Sequence, residues 1–232
     1  VIALFKAAQM AVFQLNDNEL SVLMREVSEE LQRRTKQQTL NVDLGQQIKG
    51  LEMGKRAMLV AAAAGQSILL MGSSGSGKTM LRAYGYQLGV KVSFEAHPCL
   101  CGYRGSLTNP CTCSFDSLGA YYLGVPKSDL FIEVCPATQR EMETKLKGTS
   151  VETYQKQIKE AKKHTSLQLD QPSESLLKAA VVELGLSNRD RERILVTARA
   201  IANLGWCEQI EASHIAEAVN YRPPNFLCGV KK

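Results

Sequence analysis

Residues 72–79 constrain the fold of this chain more than any other segment. They read Gly-Ser-Ser-Gly-Ser-Gly-Lys-Thr, which fits the pattern G-x-x-x-x-G-K-[ST], and they directly follow the apolar run at residues 67–71. In proteins with this pattern a strand leads into a glycine-rich loop and a helix follows it. The backbone N–H groups of such a loop form a concave surface that holds phosphate oxygens. The segment therefore predicts a strand, a phosphate-binding loop and a helix in an α/β fold.

The residue types in the loop also predict what it binds. Lys78 would reach the β- and γ-phosphates of a nucleoside triphosphate, and the Thr79 hydroxyl would hold Mg²⁺. The loop thus predicts a nucleoside triphosphate with Mg²⁺ as ligand, which the family resemblance described below narrows to ATP, and the alternative is a Gly/Ser-rich surface turn without a ligand. The loop residues predicted to contact the nucleotide are Gly72, Ser73, Ser74, Gly75, Ser76, Gly77, Lys78, Thr79 and Met80.

Composition sets broad limits on the class of protein. The chain has 232 residues, 44% of them hydrophobic and 22% charged, as in ordinary globular proteins. No apolar run approaches the roughly 18–20 residues of a membrane span, so we expect no membrane partner. Seven cysteines beside a phosphate loop indicate a reducing, cytoplasmic location in which thiols are free or bound to metal. The net charge of +5 permits contact with nucleic acid without arguing for it.

The order of predicted elements gives an α/β domain followed by helices. Residues 1–42 are predicted to form a helical lead-in and linker, residues 43–140 the nucleotide-binding α/β domain, and residues 141–232 an α-helical lid domain. Besides the strand before the loop, strands are predicted at residues 90–94 and 130–134, and a Cys/Gly/Pro-rich loop at 97–119. Helices are predicted at residues 51–64, 154–164, 173–184, 190–204 and 215–220, the last capped by Ser213.

Two close pairs of cysteines form a candidate metal site. Cys99 and Cys101 precede Cys111 and Cys113 in a segment rich in turn residues, and four thiolates from two turns can hold a structural zinc ion. Free thiols and an iron–sulfur or redox role are the alternatives. His97 is a further candidate ligand.

Three segments resemble one known family. These are residues 43–81 around the phosphate loop, the Pro-Cys-Leu-Cys-Gly-Tyr motif at 98–103 with Cys-Thr-Cys-Ser at 111–114, and residues 184–222, which begin Leu-Gly-Leu-Ser-Asn-Arg. They are similar to the magnesium-chelatase-like AAA+ ATPases of the ComM (YifB) type. The resemblance implies a P-loop NTPase (AAA+) three-layer sheet domain, here shortened, followed by a helical lid.

The resemblance also implies residue roles and partners. Ile48 and Gly50 would lie near the adenine, and Arg189 would approach the γ-phosphate, so that Lys78, Thr79 and Arg189 are the predicted catalytic residues. Relatives of this type form ATP-driven hexameric rings that act on DNA as branch-migration motors in recombination and natural transformation. A homo-oligomeric ring and DNA are therefore the expected partners.

Two features of the family are missing from this sequence. We find no apolar run that ends in Asp-Glu, which supports Mg²⁺ and the attacking water in the family, and no counterpart of its finger arginine. Loss of such an arginine alone costs about 10³–10⁵ in rate, so we expect ATP binding with poor hydrolysis. The alternatives are a metal-chelatase ATPase subunit and a catalytically inactive nucleotide-binding or assembly protein.

Overall fold

A small parallel β-sheet lies at the centre of the computed structural model, which describes residues 42–105, 109–144 and 148–224. The helical lead-in predicted for residues 1–42 falls outside the described residues except at its last position. From residue 43 onward the described residues form one compact unit. The division of this unit into a nucleotide domain and a helical lid stays a prediction.

Helices and strands alternate in the first half of the described chain, and helices alone follow. None of the described helices combines the length and the apolar character needed to cross a bilayer. In chain order the elements are α1 (Leu44–Gln47), α2 (Glu52–Ala64), β1 (Ile68–Met71), α3 (Lys78–Leu88), β2 (Ser93–Ala96), α4 (Phe115–Gly124), β3 (Leu130–Glu133), α5 (Gln139–Glu143), α6 (Val151–Ala161), α7 (Gln171–Leu184), α8 (Asn188–Leu204) and α9 (Ala212–Asn220).

The sheet has the strand order β2-β1-β3, and both pairs are parallel. In its register Leu70 of β1 lies between Glu95 of β2 and Ile132 of β3. Parallel strands end at the same edge of a sheet. The loop that follows β1 therefore lies beside the ends of both neighbouring strands.

Helices cover both faces of this sheet. Ile68 and Leu70 face the main core, which includes buried side chains of α2, α3 and α8. Leu69 and Met71 point the other way, into a smaller cluster that α4 covers. Because successive side chains of a strand alternate between faces, a strand buried on both sides is apolar throughout, as β1 is. The result is a mixed α/β arrangement consistent with a shortened P-loop fold.

Glycines bring α2 and α3 close together. A Cβ atom at Gly54 of α2 would overlap the side chain of Leu81 in α3. One at Gly85 of α3 would lie 2.7 Å from the sulfur of Met58 in α2. Packing at this density leaves little room for one helix to move along the other.

The observed β2 corrects a predicted strand. The alternation at residues 90–94 predicts a strand there, but the structure begins it at Ser93. Val90 instead belongs to the end of α3, where its N–H donates to Gly85 O and Gly89 takes a left-handed conformation. This is the usual glycine cap of a helix, in which an apolar residue after the glycine packs back onto the helix.

Helix α4 was not predicted, and the start of α9 was predicted wrongly. The segment 97–119 is predicted as a loop, yet α4 begins at Phe115, after the Ser114 side chain accepts a hydrogen bond from Ser117 N. The last helix begins at Ala212 rather than after Ser213, because Glu211 takes the cap position and its N–H donates to His214 Nδ1. The remaining predicted helices and the strand at 130–134 are confirmed to within a few residues at their ends.

Candidate nucleotide-binding site and cysteine cluster

The loop at residues 72–79 joins the central strand β1 to the start of α3. Gly77 has φ = 96° and Gly75 has φ = 78°, a left-handed region that side chains disfavour. A Cβ atom at Gly77 would also lie 2.7 Å from Leu51 Cδ1, whereas one at Gly75 would meet nothing within 4 Å. The loop therefore packs against Leu51 at Gly77, whereas the space beside Gly75 is open. The helix α3 begins at Lys78 within this loop, and the first N–H groups of a helix have no partner inside it.

The side chain of Lys78 lies inside the loop and binds its backbone carbonyls. Its Nζ donates to Gly72 O and to Ser73 O, both at 2.8 Å, and the residue is 7% exposed. Burial lowers the pKa of Lys78, and the nearby charge of Glu95 acts in the opposite direction. The ammonium group thus lies in the loop and is held there by carbonyl oxygens, which an anionic ligand can replace.

Ser76 carries a buried hydroxyl, Oγ, without a partner among the residues that the structure describes. The space beside it is tight, since a Cβ atom at Gly72 would lie 2.7 Å from this oxygen and would overlap Val134 O. Buried hydroxyl groups nearly always have a partner. An unpaired hydroxyl inside the loop fits a loop that binds phosphate oxygens.

A carboxylate that the sequence did not reveal lies beside Thr79. Oε2 of Glu95 accepts a hydrogen bond from Thr79 Oγ1 at 3.0 Å, and Oε1 lies 3.3 Å from Arg82 Nη1. Glu95 belongs to β2, directly next to the strand that carries the loop. The one sequence feature that could have pointed to this carboxylate is that Glu95 is the only charged residue in the run at 92–96.

The predicted adenine side is placed next to the loop but not within it. Ile48 and Gly50 line a cleft of about 750 Å³, together with Tyr84, Glu141 and Tyr154. Its size is in the range of ligand pockets, about 300–1,000 Å³. Neither residues 72–79 nor Leu51 line this cleft. Leu51, which lies in the chain between the lining residues Gly50 and Glu52, is close to Gly77 of the loop.

Arg189 lies at the other end of the sheet from the phosphate loop. It is exposed in the first turn of α8, one turn before Arg193, which pairs with Asp129 at 3.0 Å. Burial would raise the pKa of Asp129, but hydrogen bonds from Ser67 and the charges of Arg193 and Arg189 outweigh this and lower it. Because a strand rises about 3.3 Å per residue, Ser67 and Gly72 are about 16 Å apart. The structure therefore does not bring Arg189 to the loop of its own chain.

The four cysteines of the predicted metal site come together. The sulfur atoms of Cys99, Cys101, Cys111 and Cys113 all lie within 4.8 Å of one another, while His97 is not part of this group. The Cys99–Cys101 pair is separated by 3.3 Å, and Cys111 lies 3.6 Å from each of them. Four Zn–S bonds of about 2.3 Å in a tetrahedron place the sulfur atoms about 3.8 Å apart. The cluster is thus compatible with a zinc ion.

Backbone hydrogen bonds around the cluster favour the thiolate at Cys101. Hydrogen bonds from the backbone of Tyr103 and of Thr112 lower the pKa of Cys101 to about 6. At Cys111 and Cys113 such bonds also lower the pKa, but burial and hydrogen bonds with neighbouring cysteine side chains outweigh them, and the pKa is raised, to about 11 at Cys111. The N–H of Arg104 donates to Cys99 Sγ at 3.4 Å, and that of Cys101 donates to Cys113 Sγ at 3.4 Å. Such N–H groups orient metal ligands and stabilise their charge.

Two family models match the chain on either side of this cluster. Residues 43–88 match the model described as magnesium chelatase, subunit ChlI, and residues 132–222 match the model of the C-terminal part of the same subunit. Residues 89–131, between the matches, contain Glu95 and the cysteine cluster. A comparison with curated proteins gave no match. The two matches concern the two parts of one subunit and together cover more than half of the chain, which places it in the magnesium-chelatase-like family.

Proposed function

We propose that the chain is an ATP-binding module of the AAA+ type and that the nucleotide binds at residues 72–79. The observation that carries the proposal is the state of the loop itself. A buried lysine donates to two loop carbonyls, and a buried serine hydroxyl of the same loop has no partner among the residues that the structure describes. Both groups would gain charge-assisted hydrogen bonds from phosphate oxygens.

Each residue of the loop would contact a different part of the nucleotide. Lys78 would turn from Gly72 O and Ser73 O to the β- and γ-phosphates, and Ser76 Oγ would donate to a phosphate oxygen. The N-terminal amides of α3 would stabilise the same charge. Thr79 would hold Mg²⁺, which neutralises charge on the phosphates when it is bound. Ile48 and Gly50 would lie on the adenine side, as the resemblance implies; Leu51, which follows Gly50 in the chain, is close to Gly77 of the loop.

We further propose that the module is of the ComM type rather than a metal-chelatase subunit. What supports this is the gathering of the four cysteines, which the resemblance associates with ComM proteins. Relatives of that type act on DNA as ring-shaped motors, and a homo-oligomeric ring is proposed here on that basis. A ring would also give Arg189 a role, since an arginine remote from its own loop can act only on the nucleotide of another subunit.

The nucleotide proposal is tested by equilibrium binding. A fluorescent ATP analogue with Mg²⁺ should bind the purified chain saturably and be displaced by unlabelled ATP, because the loop offers a preformed set of donors. The same samples should then be assayed for phosphate release with and without branched DNA. Release that DNA stimulates is the result expected for a motor, and binding without release would instead identify an inactive nucleotide-binding protein. Failure of the analogue to bind would contradict the proposal.

The cysteine cluster is proposed to hold one structural zinc ion per chain. Metal analysis of the purified protein should find about one zinc per chain, and Cys101→Ser should reduce this to near zero because a structural site needs all four ligands. Cys135→Ser is the matched control, since Cys135 is exposed and lies outside the cluster. A folded wild-type protein free of zinc would reject the site.

A further inference from the structure

We propose that Glu95 replaces the missing acidic strand of the family and serves as the carboxylate that supports Mg²⁺ beside Thr79. This inference rests on the proposed function, because it concerns the metal that accompanies the nucleotide. In P-loop proteins the metal is held by the loop Ser/Thr and by an aspartate from a strand. The sequence contains no apolar strand that ends in Asp-Glu. Glu95 of β2 instead places a carboxylate beside Thr79.

The register of the sheet directs Glu95 towards the loop. Glu95 pairs with Leu70, which faces the main core and α3. Its neighbour Ala96 pairs with Met71 and faces the smaller cluster on the other side. A carboxylate at this position therefore meets the first turns of α3. In an ordinary sheet an apolar side chain would occupy this position. A carboxylate there is unfavourable unless it is paired with another group or binds a metal ion.

The contacts of Glu95 divide its two oxygens between two partners. Arg82 Nη1 lies 3.3 Å from Oε1, and both side chains are about one-fifth exposed. The other oxygen, Oε2, is left for Thr79 Oγ1 at 3.0 Å. Two neighbouring oxygen ligands of an octahedral Mg²⁺ with bonds of 2.0–2.1 Å are about 3 Å apart. The observed distance between Thr79 Oγ1 and Glu95 Oε2 is therefore compatible with two ligands of one metal ion.

Two other charged groups lie near this edge of the sheet, and neither takes the position of Glu95 beside Thr79. Lys78 lies close enough for the charge of Glu95 to act on its pKa, which places the carboxylate beside the residue that would contact the phosphates. Glu133 also ends a strand next to β1, but it pairs with Met71, whose side chain faces the smaller cluster, and it is exposed. Glu133 is therefore a matched control.

The test is the gain in nucleotide affinity that Mg²⁺ produces. Affinity for a fluorescent ATP analogue is measured in excess Mg²⁺ and in EDTA for the wild-type chain and for Glu95→Gln, Glu133→Gln and Arg82→Gln. Glu95→Gln should lose about 10–100-fold of the affinity in Mg²⁺, as is typical for groups that support a metal, and should keep its affinity in EDTA. Glu133→Gln and Arg82→Gln should keep most of the gain.

Two results would overturn the inference while leaving nucleotide binding intact. One is a Glu95→Gln variant with the full gain from Mg²⁺. The other is an equal loss in Arg82→Gln, which would show that the ion pair between β2 and α3 matters rather than the metal. If the wild-type chain binds the analogue in neither condition, the proposed function itself fails, and the inference fails with it.

Discussion

Replacing Lys78 with alanine is expected to weaken binding of an ATP analogue by about 100-fold or more. The lysine is the one group of the loop that carries a full positive charge, and each hydrogen bond between charged groups contributes about 1.5–3 kcal/mol. Loss of two such bonds to phosphate therefore removes at least about 3 kcal/mol, or two orders of magnitude in dissociation constant. Fluorescence anisotropy of the labelled nucleotide measures the change.

The matched control for this variant is Lys163→Ala. Lys163 follows α6, is exposed, and pairs with Glu160 at 2.8 Å, so its removal changes the net charge by the same amount away from the loop. Its affinity should stay within twofold of the wild type. Thermal melting of both variants would show that they are folded. Unchanged affinity in folded Lys78→Ala would remove the basis of the nucleotide proposal.

Replacing Arg199 with leucine is expected to lower the free energy of unfolding by about 3 kcal/mol. Arg199 is 5% exposed, and its guanidinium donates to Asn203 Oδ1 and to the carbonyl oxygens of Cys207 and Glu208. Asn203 in turn donates to Ala161 O at the end of α6. The pair therefore fastens α8 to the end of α6 and to the turn after α8. Leucine would leave the buried Asn203 Oδ1 without this donor, at about 1–3 kcal/mol, and would remove the part-buried bonds to the carbonyl oxygens of Cys207 and Glu208.

Urea unfolding measures this change, and two further variants define its cause. Arg191→Leu lies on the same helix in an exposed position and should change stability by less than about 0.5 kcal/mol. Arg199→Lys keeps the charge but not the planar fork of donors, so it should remain destabilising. A lysine variant as stable as the wild type would show that charge, and not the set of hydrogen bonds, is what the position needs.

The fold was predictable where local patterns decide it. The motif at residues 72–79 fixed β1 and α3 together, and left-handed Gly65 ends α2 as its sequence predicts. The pairing of β1 with both other strands was not predictable, because register depends on contacts between residues far apart in the chain. Val90 shows the limit clearly: its β-branched side chain predicts a strand, but packing onto α3 takes precedence.

The candidate site shows the same division. The loop residues and the four cysteines are recognisable from spacing alone, since their partners lie close in sequence. Glu95 and Arg189 are not, because their positions depend on how β2 and α8 pack. The sheet register places Glu95 beside Thr79, and the packing of α8 places Arg189 near Asp129, at the opposite end of the sheet. A sequence motif can identify a residue such as Arg189 without showing whether it acts on the nucleotide of its own chain or of another.

The close fit of α2 against α3 has a consequence for any ligand at the loop. Gly54 and Gly85 let the two helices touch, so the start of α3 is immobilised when the chain folds. The entropic cost of ordering this backbone is then met during folding, and capture of a ligand needs only the rotation of side chains such as Lys78. Affinity at the loop is thereby linked to two glycines that never touch the bound molecule.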